Sequence, residues 1–362
     1  MSYGRGGTVN LLRQNLLKID YLKYFSSMSD LAGTKEFEYK GGMKEGVKGI
    51  DVKTGTGFKF TVVPDRGMDI LSSEYCGIPI SWVSKNRIMH PTYFENGGIG
   101  FLRSFSGGLI TTCGLTSAGD PCVDGEEILG THDRINHIPA ENLCVEKYWN
   151  NDEYIIRIRG QMRQCSLYRE NLVLKREIIC KMGENKLYVN DEFVNEGYQK
   201  TPFMFAYHVN FSFPIISPDS KLYLSATNVK PWNQPAKNGS GIWDRFIEPK
   251  AGFEYEVFEV VMPQDKDKVY AAYINEKINF GAYIKYSTKQ MPSAVEWINS
   301  APQEYVVAIE PGNTVVWGRK LAKEQGVLKY IQPGESYKVN YEIGLMTNET
   351  EINKVKKLIE IN

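Results

Sequence analysis

The sequence predicts a mainly β protein, built as one large antiparallel sandwich or barrel. Three observations carry that reading. Ten short runs rich in Val, Ile, Tyr and Phe follow one another between residues 57 and 345. Several alternate apolar with polar side chains, the period of a strand with one buried face. Helical spacing is confined to the two ends of the chain, which argues against a βαβ arrangement.

Taken in order, residues 8–25, TVNLLRQNLLKIDYLKYF, place Leu12, Leu16, Ile19 and Leu22 on one helical stripe. A helical N-terminal extension over residues 1–40 is therefore expected to pack on a main β domain over 41–362. The expected strands are GFKFTVV (57–63), EYIIRIRG (153–160), NLVLKREIIC (171–180), KLYVNDEFVN (186–195) and KLYLSA (221–226). They continue with FEYEVFEVV (253–261), KVYAAYI (268–274), GAYIKYS (281–287), EYVVAIE (304–310) and YKVNYEIGL (337–345). The clearest hairpin joins 171–180 to 186–195 through MGEN, whose Gly183 and Asn185 suit a tight turn. The tail NETEINKVKKLIEIN offers Ile352, Val355 and Leu358 at helical spacing, with Asn348 as cap, so a closing helix is expected. No stretch reads as a linker, and no fixed-period repeat suggests a propeller or solenoid.

Composition narrows the partners. Lys+Arg and Asp+Glu both number 43 in 362 residues, which gives no reason to expect nucleic acid or an anionic membrane. No apolar run reaches the roughly 18 residues of a membrane span. The N-terminus lacks an apolar core of signal-peptide length. The six cysteines are scattered without a C-x-x-C, as expected for reduced thiols, so a cytoplasmic location is expected. The glycine pairs form neither a Walker loop nor a strand-linked G-x-G-x-x-G, so no nucleotide is expected.

Chemistry centres on few residues. Of four histidines, His132 and His137 share the stretch GTHDRINH (130–137). Their separation of five fits neither H-E-x-x-H nor one strand face, so a metal site is not expected. There is no G-x-S-x-G, and Cys113 in TTCGL reads as a buried small residue. Acid–base chemistry is better served, because imidazole titrates near neutrality. His208, in TPFMFAYHVNFSFP, reads either as a core histidine or as such a group. Glu310, in EYVVAIEPGN, reads either as a strand-end glutamate facing water or as a carboxylate whose partial burial raises its pKa. Arg66 in PDRGMD and Arg103 in FLRSF could bind hydroxyls or anchor carboxylates in the fold. Trp82 and Trp297 could offer a stacking face to a ligand or pack in the core.

The order of GTHDRINHIPA, YHVNFSFP and AIEPGN resembles the aldose 1-epimerase (galactose mutarotase-like) superfamily. VVPDRGMDILSSEYCGIPISWVS, FSGGLITTCGLTSAGDP and GRKLAKEQGVLKYIQPGE resemble, more narrowly, its DUF4432 branch. The resemblance implies an antiparallel β-supersandwich with a saccharide cleft, no cofactor, and a monomer or homodimer. It implies anomer interconversion, with His208 as general acid on the ring oxygen and Glu310 as base at the anomeric hydroxyl. His132 would hold the sugar, joined in the expected binding set by Asp133, Arg134, Arg66, Arg103, Asn210 and Trp297. His137 is expected to be a loop or surface residue without a role. Asp133 stands where relatives tend to carry glycine and is the first position to examine for substrate preference. Asp244 in IWDRF is a candidate for a further hydroxyl-binding acid. A non-catalytic carbohydrate-binding protein, and another saccharide isomerase or a lyase, are the competing readings on the same scaffold.

Overall fold

Alternation in the sequence becomes pleat in the structure, a computed structural model that describes residues 9–11, 14–239 and 241–361. Along Lys186–Asn195 every second side chain is buried and the others stay half-exposed. This strand sits inside an eight-stranded antiparallel sheet. Its order runs Glu141–Asn150, Glu153–Cys165, Asn171–Lys181, Lys186–Asn195, Ser336–Met346, Phe280–Tyr286, Val269–Asn275 and Ser220–Leu224. The expected hairpin is its centre, with Ile179 opposite Tyr188 and Gly183 in the left-handed region at φ 86°.

A six-stranded sheet packs against it. The order is Asn228–Pro231, Glu256–Val261, Ala294–Ala301, Glu304–Ile309, Met204–Phe211 and Thr111–Leu115. Between the two sheets lie Phe205, Tyr207, Val209, Phe211, Ile298, Val307 and Ile309, meeting Ile178, Val189, Tyr273 and Ile343 from the opposite sheet. All eight residues of Met204–Phe211 are buried. One face belongs to this core, and the other is covered by loops. That second covering is what makes a site.

A five-stranded sheet, Gly33–Glu38, Lys48–Lys53, Phe58–Val63, Asp69–Tyr75 and Ile78–Pro79, extends the β structure toward the N-terminus. The ten expected strands are all present, and the fold is the mainly antiparallel supersandwich that the sequence predicts.

The ends differ from each other in how closely they follow the sequence. The helix expected over 8–25 is shorter. Val9–Leu11 and Gln14–Leu16 pair as strands, and the helix spans only Lys18–Tyr24. Leu12 lies outside the described residues. Ile19 and Leu22 of the expected stripe are 60% and 50% exposed, whereas Tyr21 is fully buried. Two turns of helix cannot bury a stripe and an aromatic on different sides, and the aromatic buries more area. Gly33–Glu38 already belongs to the five-stranded sheet, so this stretch is not wholly helical. At the C-terminus, Glu349–Ile361 is helical. Asn348 Oδ1 accepts from the Glu351 amide at 3.0 Å as the N-cap, and Ile352 and Val355 are buried against Tyr270 and Ile274. Among the described residues no helix is long and apolar enough to cross a membrane.

One polar network crosses the core. Arg176 donates to Asp191 Oδ2 at 2.7 Å, Asp69 Oδ1 at 2.8 Å, Thr112 Oγ1 at 2.8 Å and the Gly67 carbonyl at 3.1 Å. Tyr207 Oη donates to Asp191 Oδ2 at 2.6 Å. Removing the cation would leave two carboxylates in a dry interior, a loss of about 3–5 kcal/mol for a broken buried pair. Arg176→Met is therefore expected to lower unfolding free energy by that amount in a urea titration. A change within about 0.5 kcal/mol, the ordinary spread for surface substitutions, would show that the network is dispensable.

Candidate active site: a cleft over the six-stranded sheet

The loop-covered face of the six-stranded sheet carries a cleft of about 530 Å³. Its size falls in the range of small-molecule sites. His208 enters it from the strand Met204–Phe211, next to the sheet edge, where it lies opposite Thr111. Strand alternation sends its neighbours Tyr207 and Val209 into the core and His208 into the cleft. Glu310 follows the strand Glu304–Ile309 and is held by reciprocal backbone bonds with Val295 at 2.7 and 3.3 Å. The turn required by Pro311-Gly312 thus begins with the carboxylate already fixed over the sheet.

His208 Nε2 lies 3.2 Å from Glu310 Oε1, and both residues are only 5% exposed. Burial pushes His208 down to about 3, helped by nearby His132 and opposed by the Asn210 side chain. Burial alone raises Glu310 to about 8. Both groups are driven toward their neutral forms, as expected for ionisable groups taken out of water. Phe105 and Trp297 pack around the imidazole with ring centroids 5.1 and 5.3 Å away.

His132 reaches the cleft from a loop, with its ring 6.1 Å from that of His208. Its backbone is tied twice: the Gly114 amide donates to its carbonyl, and its own amide donates to the Gly119 carbonyl. The Gly119 amide donates to its Nδ1 at 3.1 Å. With Nδ1 accepting, the ring proton is placed on Nε2. Desolvation lowers this imidazole to about 4, so it is neutral at physiological pH.

The remaining sequence candidates lie elsewhere, and each has an occupant. Asp133 points away from the cleft. Its Oδ2 accepts from the Thr116 amide, Thr116 Oγ1 and Gln164 Nε2 at 2.7–2.9 Å. Its φ is 55°, in the left-handed region that aspartate tolerates better than most side chains, and the three hydrogen bonds compensate the strain. Arg134 pairs with Glu170 and the Cys165 carbonyl. Arg66 is buried beneath the site, donating to the carbonyls of Met89, Ser104 and Asn136. It also meets His137 Nε2 at 2.9 Å. Burial lowers its guanidinium to about 10. His137 is therefore buried and structural rather than a surface residue. Arg103 pairs with Glu95 outside the cleft. Asp244 pairs with Lys221 at 3.2 Å, also outside it. Asn210 does not line the cleft. Its amide donates to the carbonyls of Gly108 and His208, and its Oδ1 and His208 Nδ1 are both without partners two residues apart on one strand face. Cys113 is buried and its thiol is pushed up by that burial.

Trp297 does line the cleft, packed edge-on to Trp82 at 6.0 Å. Four of the six tryptophans line it in all, and Trp232 and Trp317 were not singled out from sequence. They lie parallel at 3.7 Å. Their one sequence signal is their setting, KPWNQP and VVWGR, where a large aromatic stands beside turn residues rather than inside an apolar run. Among the described residues no group of three or more His, Cys, Asp or Glu side chains could hold a metal ion.

The environment of Asp133 sets a testable consequence. Asp133→Ala leaves three donors unsatisfied in a buried site and is expected to cost about 2–4 kcal/mol in chemical denaturation. Asp133→Asn, which can keep a carbonyl oxygen at the Oδ2 position, is expected to cost less than half as much. Equal losses would mean that the charge, not the acceptor, is what the site requires.

Comparison with known proteins places the chain by family and fold. No curated relative matches the chain. Among solved structures it is similar to a candidate aldose 1-epimerase of Klebsiella pneumoniae, at 26% identity and a TM-score of 0.86, covering 91% of this chain and 87% of that one. A galactose mutarotase-like protein of Clostridium acetobutylicum matches at 15% identity and TM-score 0.59, covering 87% and 99%. The galactose 1-epimerase of Lactobacillus acidophilus matches at 13% and 0.54, covering 88% and 100%. These last two show the shared fold alone. The model of a domain of unknown function, DUF4432, matches residues 44–345, and the chain belongs to that family.

Proposed function

We propose that the protein interconverts the anomers of a saccharide by general acid–base ring opening and reclosure. The observation that carries this reading is the 3.2 Å contact between buried His208 and Glu310 in an aromatic-walled cleft. The likeness to the candidate aldose 1-epimerase of Klebsiella pneumoniae over nine-tenths of the chain supports it.

Opening a cyclic hemiacetal removes the proton of the anomeric hydroxyl and delivers one to the ring oxygen. Glu310 serves the first transfer and His208 the second. With Glu310 at about 8 and His208 at about 3, the pair holds one proton across the whole interval between. Passing that proton from Oε1 to Nε2 creates a carboxylate base and an imidazolium acid in one step. The opened aldehyde turns about its C1–C2 bond and recloses on its other face. Reclosure reverses the two transfers and restores the pair, so no proton is gained or lost overall. His132, neutral with its proton on Nε2, donates to a sugar oxygen. Trp297 offers a flat apolar surface to the ring. Asn210 holds the backbone of His208 by donating to its carbonyl. The reaction is suited to a soluble sugar as sole partner.

Two measurements test the assignment. Anomer exchange followed by NMR is expected to slow about 10²–10⁴-fold in both Glu310→Gln and His208→Asn, the usual contribution of a positioned proton-transfer group. If both variants exchange anomers at the wild-type rate, the acid–base assignment is wrong. The pH profile has a defined sign. The pair loses its single transferable proton as pH rises through about 8, and accepts a second as pH falls through about 3. The catalytic efficiency kcat/KM is therefore expected to be flat around neutrality, falling above about 8 on the alkaline side. A profile that instead rises through pH 8–9 would exclude a shared proton as the working state.

A further inference from the structure

We infer that the cleft is built for a neutral saccharide of two rings, with the reacting ring beside Trp297 and a second ring on the Trp232–Trp317 stack. This rests on the acid–base reading of the same cleft and names its substrate class.

The argument begins with where the aromatics stand. His208 has Phe105 and Trp297 on one side, part of a cluster with Trp82 and Phe101. A second apolar cluster flanks the other end and holds Trp232, Trp317, Val257, Val295 and Val316. The sheet register gives the separation. The Trp232 amide donates to the Val257 carbonyl at 2.8 Å, and Val257 lies opposite Trp297. Trp232, Val257 and Trp297 thus form one row across three chain segments, and all three line the cleft. Two interstrand spacings put the backbones of Trp232 and Trp297 about 10 Å apart. A single pyranose cannot lie on both surfaces, whereas two linked rings can. Trp232 and Trp317 are 3.7 Å apart and parallel within 5°, so neither admits a ligand between them. Their mutual stacking makes a rigid platform at the edge of the open volume, with Trp232 half-exposed. Trp317 is only 6% exposed, so the half-exposed face of Trp232 is the one left open for a ligand to cover.

Charge sets the second half of the inference. Among the described residues that line the cleft, Lys85 is the only Lys or Arg, and Glu304 is already paired with it. Asp120, beside the Gly119 that anchors His132, also lines the cleft and has no salt-bridge partner among the described residues. Its carboxyl is raised by burial with no cation to offset it. A phosphate, sulfate or uronate group entering here would meet carboxylates and no free cation. Hydroxyl groups, which donate as well as accept, suit the same surroundings.

The test uses ligand-observed NMR on the intact protein. The probes are maltose, cellobiose, lactose and melibiose, with glucose and galactose as single rings and glucose 6-phosphate and glucuronate as charged controls. At least one disaccharide is expected to bind about tenfold more tightly than its single-ring counterpart, with saturation transferred to both rings. Trp232→Ala is expected to lower the disaccharide-to-monosaccharide affinity ratio about tenfold, and Trp232→Phe to restore most of it. The inference is overturned if no neutral disaccharide of the panel outbinds its monosaccharide, if the preference survives in Trp232→Ala, or if a charged sugar binds best. Anomer exchange measured on the same samples separates the two claims. A two-ring preference without exchange would sink the epimerase reading alone. Exchange restricted to single rings would sink this one alone.

Discussion

Arg176 is the constraint on which the rest of the molecule hangs. Its hydrogen bonds reach three separate parts of the chain: Asp191 on the neighbouring strand, Gly67 and Asp69 at the start of the strand Asp69–Tyr75, and Thr112 beside the His208 strand. A guanidinium fork is suited to this because its donors are fixed in one plane. The residue is 2% exposed, so each partner must be correctly placed for the ion to be tolerated at all. Tyr207 joins through Asp191, and the next residue on its strand is His208, facing the other way. The core network and the cleft are thus two faces of one strand. Burial raises the Asp69 carboxyl while Arg176 and Thr112 pull it down. The same competition between desolvation and partnering operates across the sheet.

On the cleft side the balance is left unresolved. His208 Nδ1 has no hydrogen-bond partner, and Glu310 has only His208 within reach of its buried Oε1. Such groups weaken a fold, because a charged form in dry surroundings is penalised and a polar atom without a partner is costly. The large aromatic area around them offsets that loss. Phe105, Trp82 and Trp297 exclude water and, by doing so, shift the titrations of the pair toward their neutral forms. The fold's stability and the pair's titration are drawn from the same packing. The aromatic walls cannot be trimmed for one without changing the other.

Much of the fold was legible because its cause is local. A strand with one buried face alternates, and Lys186–Asn195 could hardly be read otherwise. The capped closing helix carried its own signal in Asn348. The N-terminal stripe misled because its spacing is real, but tertiary packing selects Tyr21 over the leucines. For the cleft, residue types left His208, Glu310 and Trp297 open between site and core, and the family resemblance singled them out with His132; all four face it. Arg66, Asp133 and Asn210 have the right chemistry for a sugar and are consumed by partners within the fold instead. No one-dimensional pattern separates a guanidinium that caps carbonyls from one that binds hydroxyls. Trp232 and Trp317 stand 85 residues apart in the sequence, and only the folded sheet brings them into contact.

Gly119 shows how the two ends of the cleft are made one object. Its amide fixes the His132 ring, its carbonyl holds the His132 backbone, and it bridges to Trp317 on the other side. Its φ is 93°, and a Cβ at this position would stand 1.7 Å from the Val316 carbonyl oxygen. Only glycine allows the two segments to approach so closely. The placement of His132 relative to the tryptophan platform is therefore tied to a single backbone contact at Gly119. That arrangement explains why GTHDRINH needs two consecutive residues in the left-handed region, His132 and Asp133. The first turns an imidazole toward the cleft while its backbone is tied to Gly114 and Gly119. The second turns a carboxylate away to hold the corner. The stretch that looked richest in chemistry spends most of its side chains on geometry, so that one histidine can face the cleft.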